Sequence, residues 1–414
     1  MIYKIFHIIY FILIFNSVEL FAEIFYVNQK NYPNIQYVID NAYNGDTVII
    51  SEGIYKQGKI IIKKNLTIIG KGAAIIDGKD SEGSIFYVES AKVRISGLTF
   101  RNVTRTAIQD NAAIRLANSD GSVIENNKII NGFFGIYLAR CDDFIIQSNK
   151  IYGNSKTESS SGNGIHLFRC TTAVIKDNYI ENQRDGIYLE FVSKAIISHN
   201  KSLFNLRYGL HFMFSDGCDY ENNKFEKNGA GVAVMYSKNV NMRYNYFYNN
   251  WGSSAYGLLL KDIRDGEVIF NKFYNNTVGV YMEGSNRLVF SNNDFNKNGW
   301  ALKIMGNCMD NYFKRNNFIS NTFDVATNSK QSYSFFDNNY WSGYTGYDLN
   351  KDGIGDVPYA PVSLFSVISS NNPESLILLH SFFIEILEIA EKVFPSLTPE
   401  TLKDKKPQMK KFND

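Results

Sequence analysis

The sequence predicts an all-β fold, a single-stranded right-handed parallel β-helix with an N-terminal cap helix and a C-terminal amphipathic helix. Three observations carry that prediction. Asn recurs just before a short apolar segment at Asn127, Asn149, Asn178, Asn200, Asn223, Asn245, Asn271, Asn293, Asn317 and Asn339, with gaps of 22, 29, 22, 23, 22, 26, 22, 24 and 22. A Gly-apolar-x-apolar motif keeps the same beat at Gly135, Gly164, Gly186, Gly209, Gly231, Gly257 and Gly279, with Ala301 in the last Gly slot. Inside the motif the alternation is strict, as in Ile136/Leu138, Leu210/Phe212 and Val232/Val234. Period two with one apolar face means a strand facing a core.

A coil of about 22 residues cannot bury its apolar face alone, so stacking supplies the core. The longer gaps then read as loops between coils. Asn stacked in register at a turn hydrogen-bonds to the next Asn, and it tolerates the left-handed conformation of sharp corners. Leucine-rich repeats share the period but need a Leu consensus and a helix-forming arc. Here the arcs are short, polar and rich in β-formers.

Element by element, residues 1–22 read as a secretory signal. Lys4 gives a weak positive region, residues 8–15 an apolar stretch, and Ala22 a cleavage edge. Leu20 stands where a small residue is expected, so a retained anchor is the alternative. Residues 23–340 are assigned to the β-helix. Its cap spans residues 34–43, where Ile35, Val38, Ile39 and Ala42 fall at helical spacing. Residues 341–372 are assigned to a loop. Residues 373–414 form a helical tail whose apolar stripe at 376–394 is edged by Glu385, Glu388 and Glu391. Such a helix either caps the last coil or docks on a membrane partner.

The net charge of +2 gives no basic groove for nucleic acid and no patch for an anionic membrane surface. The four cysteines stand singly, without metal or redox spacing. Cys141 and Cys170 share a repeat position, but Ser215, Ser237 and Ser285 take that column elsewhere. A small-residue slot therefore describes it better than a disulfide.

If the first and third residues after each Gly point inward, the second and fourth point outward. The second column reads Tyr137, His166, Tyr188, His211, Ala233, Leu259, Tyr281, Lys303. The fourth reads Ala139, Phe168, Glu190, Met213, Met235, Lys261, Glu283, Met305. Met is unexpected on an outward face. Met213 and Met235 are neighbours one coil apart, with His211 two residues along the strand. Thioethers beside an imidazole form a soft ligand set suited to Cu(I). The competing explanation is a patch under a loop or a protein contact. Met305, three coils from Met235, is too far to join them.

A second motif, DLNKDGIGD, places Asp348, Asn350, Asp352, the Ile354 carbonyl and Asp356 at the spacing of a calcium loop. Tyr359 stands where the bidentate Glu belongs. The expectation is a structural Ca²⁺; the alternative is a Gly-Asp turn with no ion. Pectate-lyase-like β-helices often act on acidic polysaccharides through clustered carboxylates. Here Asp142 and Asp143 form the only adjacent Asp pair in the coils, and they sit at a turn.

Several segments resemble the NosD family of nitrous oxide reductase maturation proteins: RYGLHFMFS (207–215), GVAVMYS (231–237), GWALKIMGNCMDN (299–311), NTFDVATNS (321–329) and residues 339–366. The tail SFFIEILEIAEKVFPSLTPETLKDKKP fits as well. The resemblance runs over nearly the whole chain. It implies a non-enzymatic periplasmic protein that is membrane-associated through an ABC-type permease and its ATPase. It further implies a copper chaperone lipoprotein as partner and assembly of the reductase's copper–sulfur centre as the task. On that basis His211, Met213 and Met235 would pass Cu(I) transiently. Phe382, Phe383, Ile386 and Leu387 would meet the permease. A secreted carbohydrate-active β-helix, of the polysaccharide lyase or epimerase type, is the alternative.

Overall fold

The computed structural model describes residues 22–79, 81–89, 91–106, 109–329, 333–379, 381–393 and 402–413. The signal assigned to residues 1–22 lies almost entirely outside them. From Ile24 the chain winds through three parallel sheets of 12, 14 and 13 strands among the described residues, here sheets I, II and III. One coil supplies Ala112–Ala117 to sheet I, Val123–Glu125 to sheet II and Lys128–Ile130 to sheet III before returning with Phe134–Ala139. Every named strand pair is parallel and joins one coil to the next.

The inward register is as expected. Ile136, Leu138, Leu210, Phe212, Val232 and Val234 are all fully buried. Sheet III continues the core as a face-to-face ring stack, Phe225–Phe247–Phe273–Phe295–Phe318–Trp341, with centroids 4.1 to 5.6 Å apart. The recurring Gly has a steric cause. A Cβ on Gly209 would lie 2.6 Å from the Gly231 carbonyl oxygen of the next coil, and one on Gly231 2.5 Å from that of Gly257.

The Asn ladder runs as a relay. The Asn127 N–H and Nδ2 both donate to Asn149 Oδ1, at 3.0 and 3.1 Å, and Asn149 repeats this to Asn178. Two details differ from expectation. The rung between Asn293 and Asn339 is Asn316, not Asn317; Asn317 turns outward to Asp294 and the Phe412 backbone. The left-handed φ belongs to the residue before each rung, as at Asn126, Asp177 and Asn222. The preceding residue takes the bend because the rung's own amide must point along the stack. A second ladder, Gln183–Asn205–Asn228–Asn250–Asn276–Asn298–Asn321, closes the corner between sheets III and I.

At the N-terminal end α1 (Ile35–Asn41) starts at the Asn34 side chain, which accepts the Tyr37 N–H, and buries Ile35, Val38 and Ile39. The far end differs from the sequence assignment. Residues 341–372 include α2 (Leu364–Asn371), and the apolar helix α3 begins only at Phe382 (Phe382–Val393), after a 3₁₀ turn. Residues 402–413 are not helical. They bridge to Phe336, Tyr340, Ile354 and Tyr359, and Asp404 ends the ladder. Its carboxylate accepts from the N–H groups of Asn338 and Asn339, from Asn339 Nδ2 and from Trp341 Nε1, at 2.9 to 3.1 Å. Each rung passes donors upward, so the last one needs an acceptor that donates nothing. A carboxylate is that group.

Candidate metal-handling face

Sheet I carries the candidate site on its outer side. Insertions at residues 153–163 and 249–255 enter the sheet on either side of it, at the coils beginning Ile165 and Tyr256. Met213 and Met235 are register partners, both half-buried. His211 lies on the same strand as Met213, with Ala233 above it and Tyr188 below. The structure thus brings the three residues onto one face. Met305 sits three coils on, beside the Tyr281–Glu283 end of the sheet.

Tyr137, His166 and His211 of the outer column are buried and Tyr188 is half-buried, which alternation alone did not suggest. Tyr137, His166, Tyr188 and His211 form a column of rings with centroids 4.6 to 4.7 Å apart, edge-on at Tyr137–His166, tilted at His166–Tyr188 and face to face at Tyr188–His211. Phe134 and Tyr208, each from the residue before a Gly, fold over this stack. His211 is only 4% exposed, and its Nε2 is enclosed with no hydrogen-bond partner; the same holds for His166 Nε2.

Beside His211 lies a charged pair absent from the sequence reading. Arg207 donates to fully buried Asp185 through Nε at 3.0 Å and Nη2 at 2.8 Å. His211 Nδ1 is 3.6 Å from Asp185 Oδ2 and 3.4 Å from Arg207 Nη2. Burial pushes the Asp185 carboxyl up, but contact with His211 and the Arg207 charge outweigh it and hold the group below the ordinary carboxylate range. One coil along, Glu190 Oε2 is 3.7 Å from His166 Nε2. Contact with His166 lowers the Glu190 pKa despite partial burial. Burial and the Glu190 charge raise the Tyr188 phenol to about 12. Asp185 and Tyr208 could have been suspected from the sequence, since both precede a motif Gly and so share one column.

Among the described residues no three of His, Cys, Asp and Glu converge as a metal site. In the 348–356 loop the oxygens turn onto the loop's own backbone. Asp348 accepts from the Asp352 and Gly353 N–H groups, Asn350 from Asp352, Asp352 from Ile354, and Asp356 from Leu349. Tyr359 turns inward, its hydroxyl 3.3 Å from Asp324. Asp142 and Asp143 both sit at the turn between sheets I and II. Asp142 accepts the Thr171 N–H, and Asp143 takes the left-handed corner.

On α3, Phe382, Phe383 and Ile386 are exposed, and Leu387 is not. It packs with Ile384 toward Phe323 and Phe365, where a cleft of about 680 Å³ separates the last coil from the helices. The side chains of Glu385 and Glu388 lie outside the described ones. Asp324 floors the cleft, and burial raises its carboxyl to about 6. Among the described residues no helix is long and apolar enough to cross a membrane.

A family model described as periplasmic copper-binding protein (NosD) matches residues 147–351, the span that holds His211, Met213 and Met235 and ends inside the 348–356 loop. A right-handed β-helix model matches residues 41–182. The probable ABC transporter binding protein NosD of Stutzerimonas stutzeri is 26% identical over 371 residues, covering 86% of this chain and 85% of that protein. Its counterpart in Pseudomonas aeruginosa is 27% identical over 372 residues, covering 85% and 86%. The chain is NosD-like, similar to these relatives over about 85% of its length. Likeness to solved structures shows this NosD-like chain's fold alone. PfbA, a surface adhesin of Streptococcus pneumoniae, gives a TM-score of 0.57 at 14% identity, covering 72% of this chain and 89% of that one. The family 28 exopolygalacturonase of Yersinia enterocolitica gives 0.55 at 13%, covering 78% and 79%. An adhesin and an exopolygalacturonase share these coils, so the coils do not decide the chemistry.

Proposed function

We propose that this protein is a non-enzymatic periplasmic carrier that takes up Cu(I) on the outer face of sheet I. The copper would serve assembly of the copper–sulfur centre of nitrous oxide reductase, alongside an ABC-type permease and ATPase and a copper chaperone lipoprotein. The observation that carries the proposal is the register pairing of Met213 with Met235 beside an imidazole whose enclosed Nε2 has no partner. Copper is cargo here. Two thioethers and one imidazole nitrogen suit a soft monovalent ion and suit Ca²⁺ poorly. Half-buried Met213 and Met235 would meet the ion first, with His211 as the inner ligand. The copper-binding description of the family model and the printed names of the relatives support this reading. Phe382, Phe383 and Ile386 are the proposed contact with the permease; Leu387, committed to the cleft, is not available for it.

Competition for Cu(I) against a chromophoric chelator tests the site. The triple variant His211→Ala, Met213→Ala, Met235→Ala should bind at least about tenfold more weakly, roughly 1.4 kcal/mol or more. An unchanged affinity would remove these residues from copper handling.

Calcium at residues 348–356 is a separate proposal. As built, the loop's carboxylates do not converge, so the ion would have to draw Asp356 from the Leu349 N–H and join it to Asp348, Asn350, Asp352 and the Ile354 carbonyl. Ligand binding to the native state raises Tm by mass action. Millimolar Ca²⁺ should therefore raise the Tm of the wild type and leave that of Asp348→Ala unchanged. Equal melting with Ca²⁺ and with chelator would reduce the loop to a turn.

A further inference from the structure

Cys141 and Cys170 take the same slot on neighbouring coils. Ala139 pairs with Phe168 and Asp142 with Thr171, which makes the two cysteines register partners as well. Parallel strands hold such Cα atoms ~4.8 Å apart, inside the roughly 4.4–6.8 Å that a disulfide spans. Both side chains are fully buried at the corner between sheets I and II. Each thiol donates to a backbone carbonyl, Cys141 to Ala139 at 3.4 Å and Cys170 to Phe168 at 3.5 Å, and the nearness of the two sulfurs holds the Cys141 thiol below its ordinary range and pushes Cys170 up.

The slot itself does not demand cysteine. In other coils Ser119, Ser215, Ser237 and Ser285 fill it, each hydroxyl donating to the carbonyl two residues back at 2.9 to 3.1 Å. Serine therefore meets the packing and hydrogen-bonding needs of the corner. Two cysteines in succession add one thing that serine cannot, the capacity to be joined.

We propose that Cys141 and Cys170 form a disulfide linking two coils when the chain folds in an oxidising compartment. The proposal rests on the extracytoplasmic reading above, and its test separates the two. The co-reactant is a disulfide, from a thiol-oxidising protein or a small-molecule couple. The Cys141 thiolate attacks it and expels one thiol, and the Cys170 thiolate then displaces the second. Two S–H bonds and the incoming S–S bond are lost; one Cys141–Cys170 S–S bond and two S–H bonds on the oxidant are gained. Two electrons pass to the oxidant. Since both sulfurs end fully buried, exchange takes place before the corner closes.

The bond closes a loop of 29 residues that contains the insertion at 153–163. It ties the coil of Tyr137 to that of His166, the base of the ring stack on which His211 rests. By restricting the unfolded chain it stabilises these coils.

The test alkylates protein that was secreted, purified without reductant and then unfolded. Cys218 and Cys308 should be labelled, and a cross-linked peptide should join Cys141 to Cys170. Reduction should lower the wild-type Tm by on the order of 5 °C. The double variant Cys141→Ser, Cys170→Ser, which uses the residue other coils place there, should fold and melt alike with and without reductant. If the secreted chain has four free thiols, refolding the reduced protein with a glutathione couple decides. Formation of the link then keeps the pairing and overturns the compartment; four free thiols again overturn the pairing.

Discussion

Replacing Asp404 with Ala should release residues 402–413 from the last coil. Five donors converge on that carboxylate, three of them backbone N–H groups, in a site with no solvent exposure. A buried donor left without a partner costs ~1–3 kcal/mol, and donors bonded to a charged group lie at the upper end. Opening the tail to water relieves part of this, so the expected loss is about 3–5 kcal/mol, taken mainly as detachment of the tail. Hydrogen exchange should then be fast at Asn338, Asn339 and the Trp341 indole, while the central rungs near Asn223 stay protected. Asp404→Asn should fall between wild type and Ala. Its Oδ1 still accepts, but its amide now faces the N–H groups of Asn338 and Lys406. Exchange in Asp404→Ala as slow as in wild type would mean that the tail is held by other contacts.

That cap shows where a sequence can be read and where it cannot. The 22-residue beat exposes the coils because stacking repeats one side-chain requirement at each level. Inward apolar residues, the Gly column and the main ladder all follow from it. Residues 402–413 stand outside the beat, and Asp404 reaches its rung from 65 residues away. Nothing local marks it. Asn316 and Asn317 are adjacent, so the period could not choose between them; the choice falls to whichever amide aligns with Asn293 Oδ1 and Asn339 Oδ1, and that is Asn316. The second ladder was legible, since its rungs follow those of the first by five residues from Asn200/Asn205 through Asn316/Asn321.

The candidate site was half legible for a related reason. Strand periodicity gives the direction of a side chain, which is why Met213, Met235 and His211 fall on one face. It does not give what covers that face. Tyr208 and Phe134 open their strands just ahead of the motif Gly, where the alternation read from that Gly does not reach, and they fold over rings that the pattern left exposed. Asp185 and Arg207 meet from consecutive coils, a pairing that becomes visible only once the register is known.

Removing Asp185 should be the most damaging single change on this face. Asp185→Ala deletes a fully buried carboxylate, leaving Arg207 without its anion and His211 Nδ1 without its nearest carboxylate. Breaking a buried ion pair costs about 3–5 kcal/mol. Arg207 is 30% exposed and regains some water, so about 2–3 kcal/mol is the expected loss after that discount. The sign of the pH dependence follows from the lowered pKa of Asp185 in the folded protein. An acid depressed on folding contributes its stability above the unfolded-state value, ~3.9, and loses it as pH falls through the folded-state value. The difference in Tm between wild type and Asp185→Asn should therefore be full at neutral pH and shrink at strongly acidic pH. A difference independent of pH would assign the effect to packing rather than charge. Copper adds a second readout. Partners that orient a ligating imidazole typically affect metal affinity by ~10–100-fold, so Asp185→Asn should weaken Cu(I) binding although it removes no thioether. If the variant melts early yet binds Cu(I) as tightly as wild type, the cluster is a joint between coils, and His211 takes no orientation for metal from it.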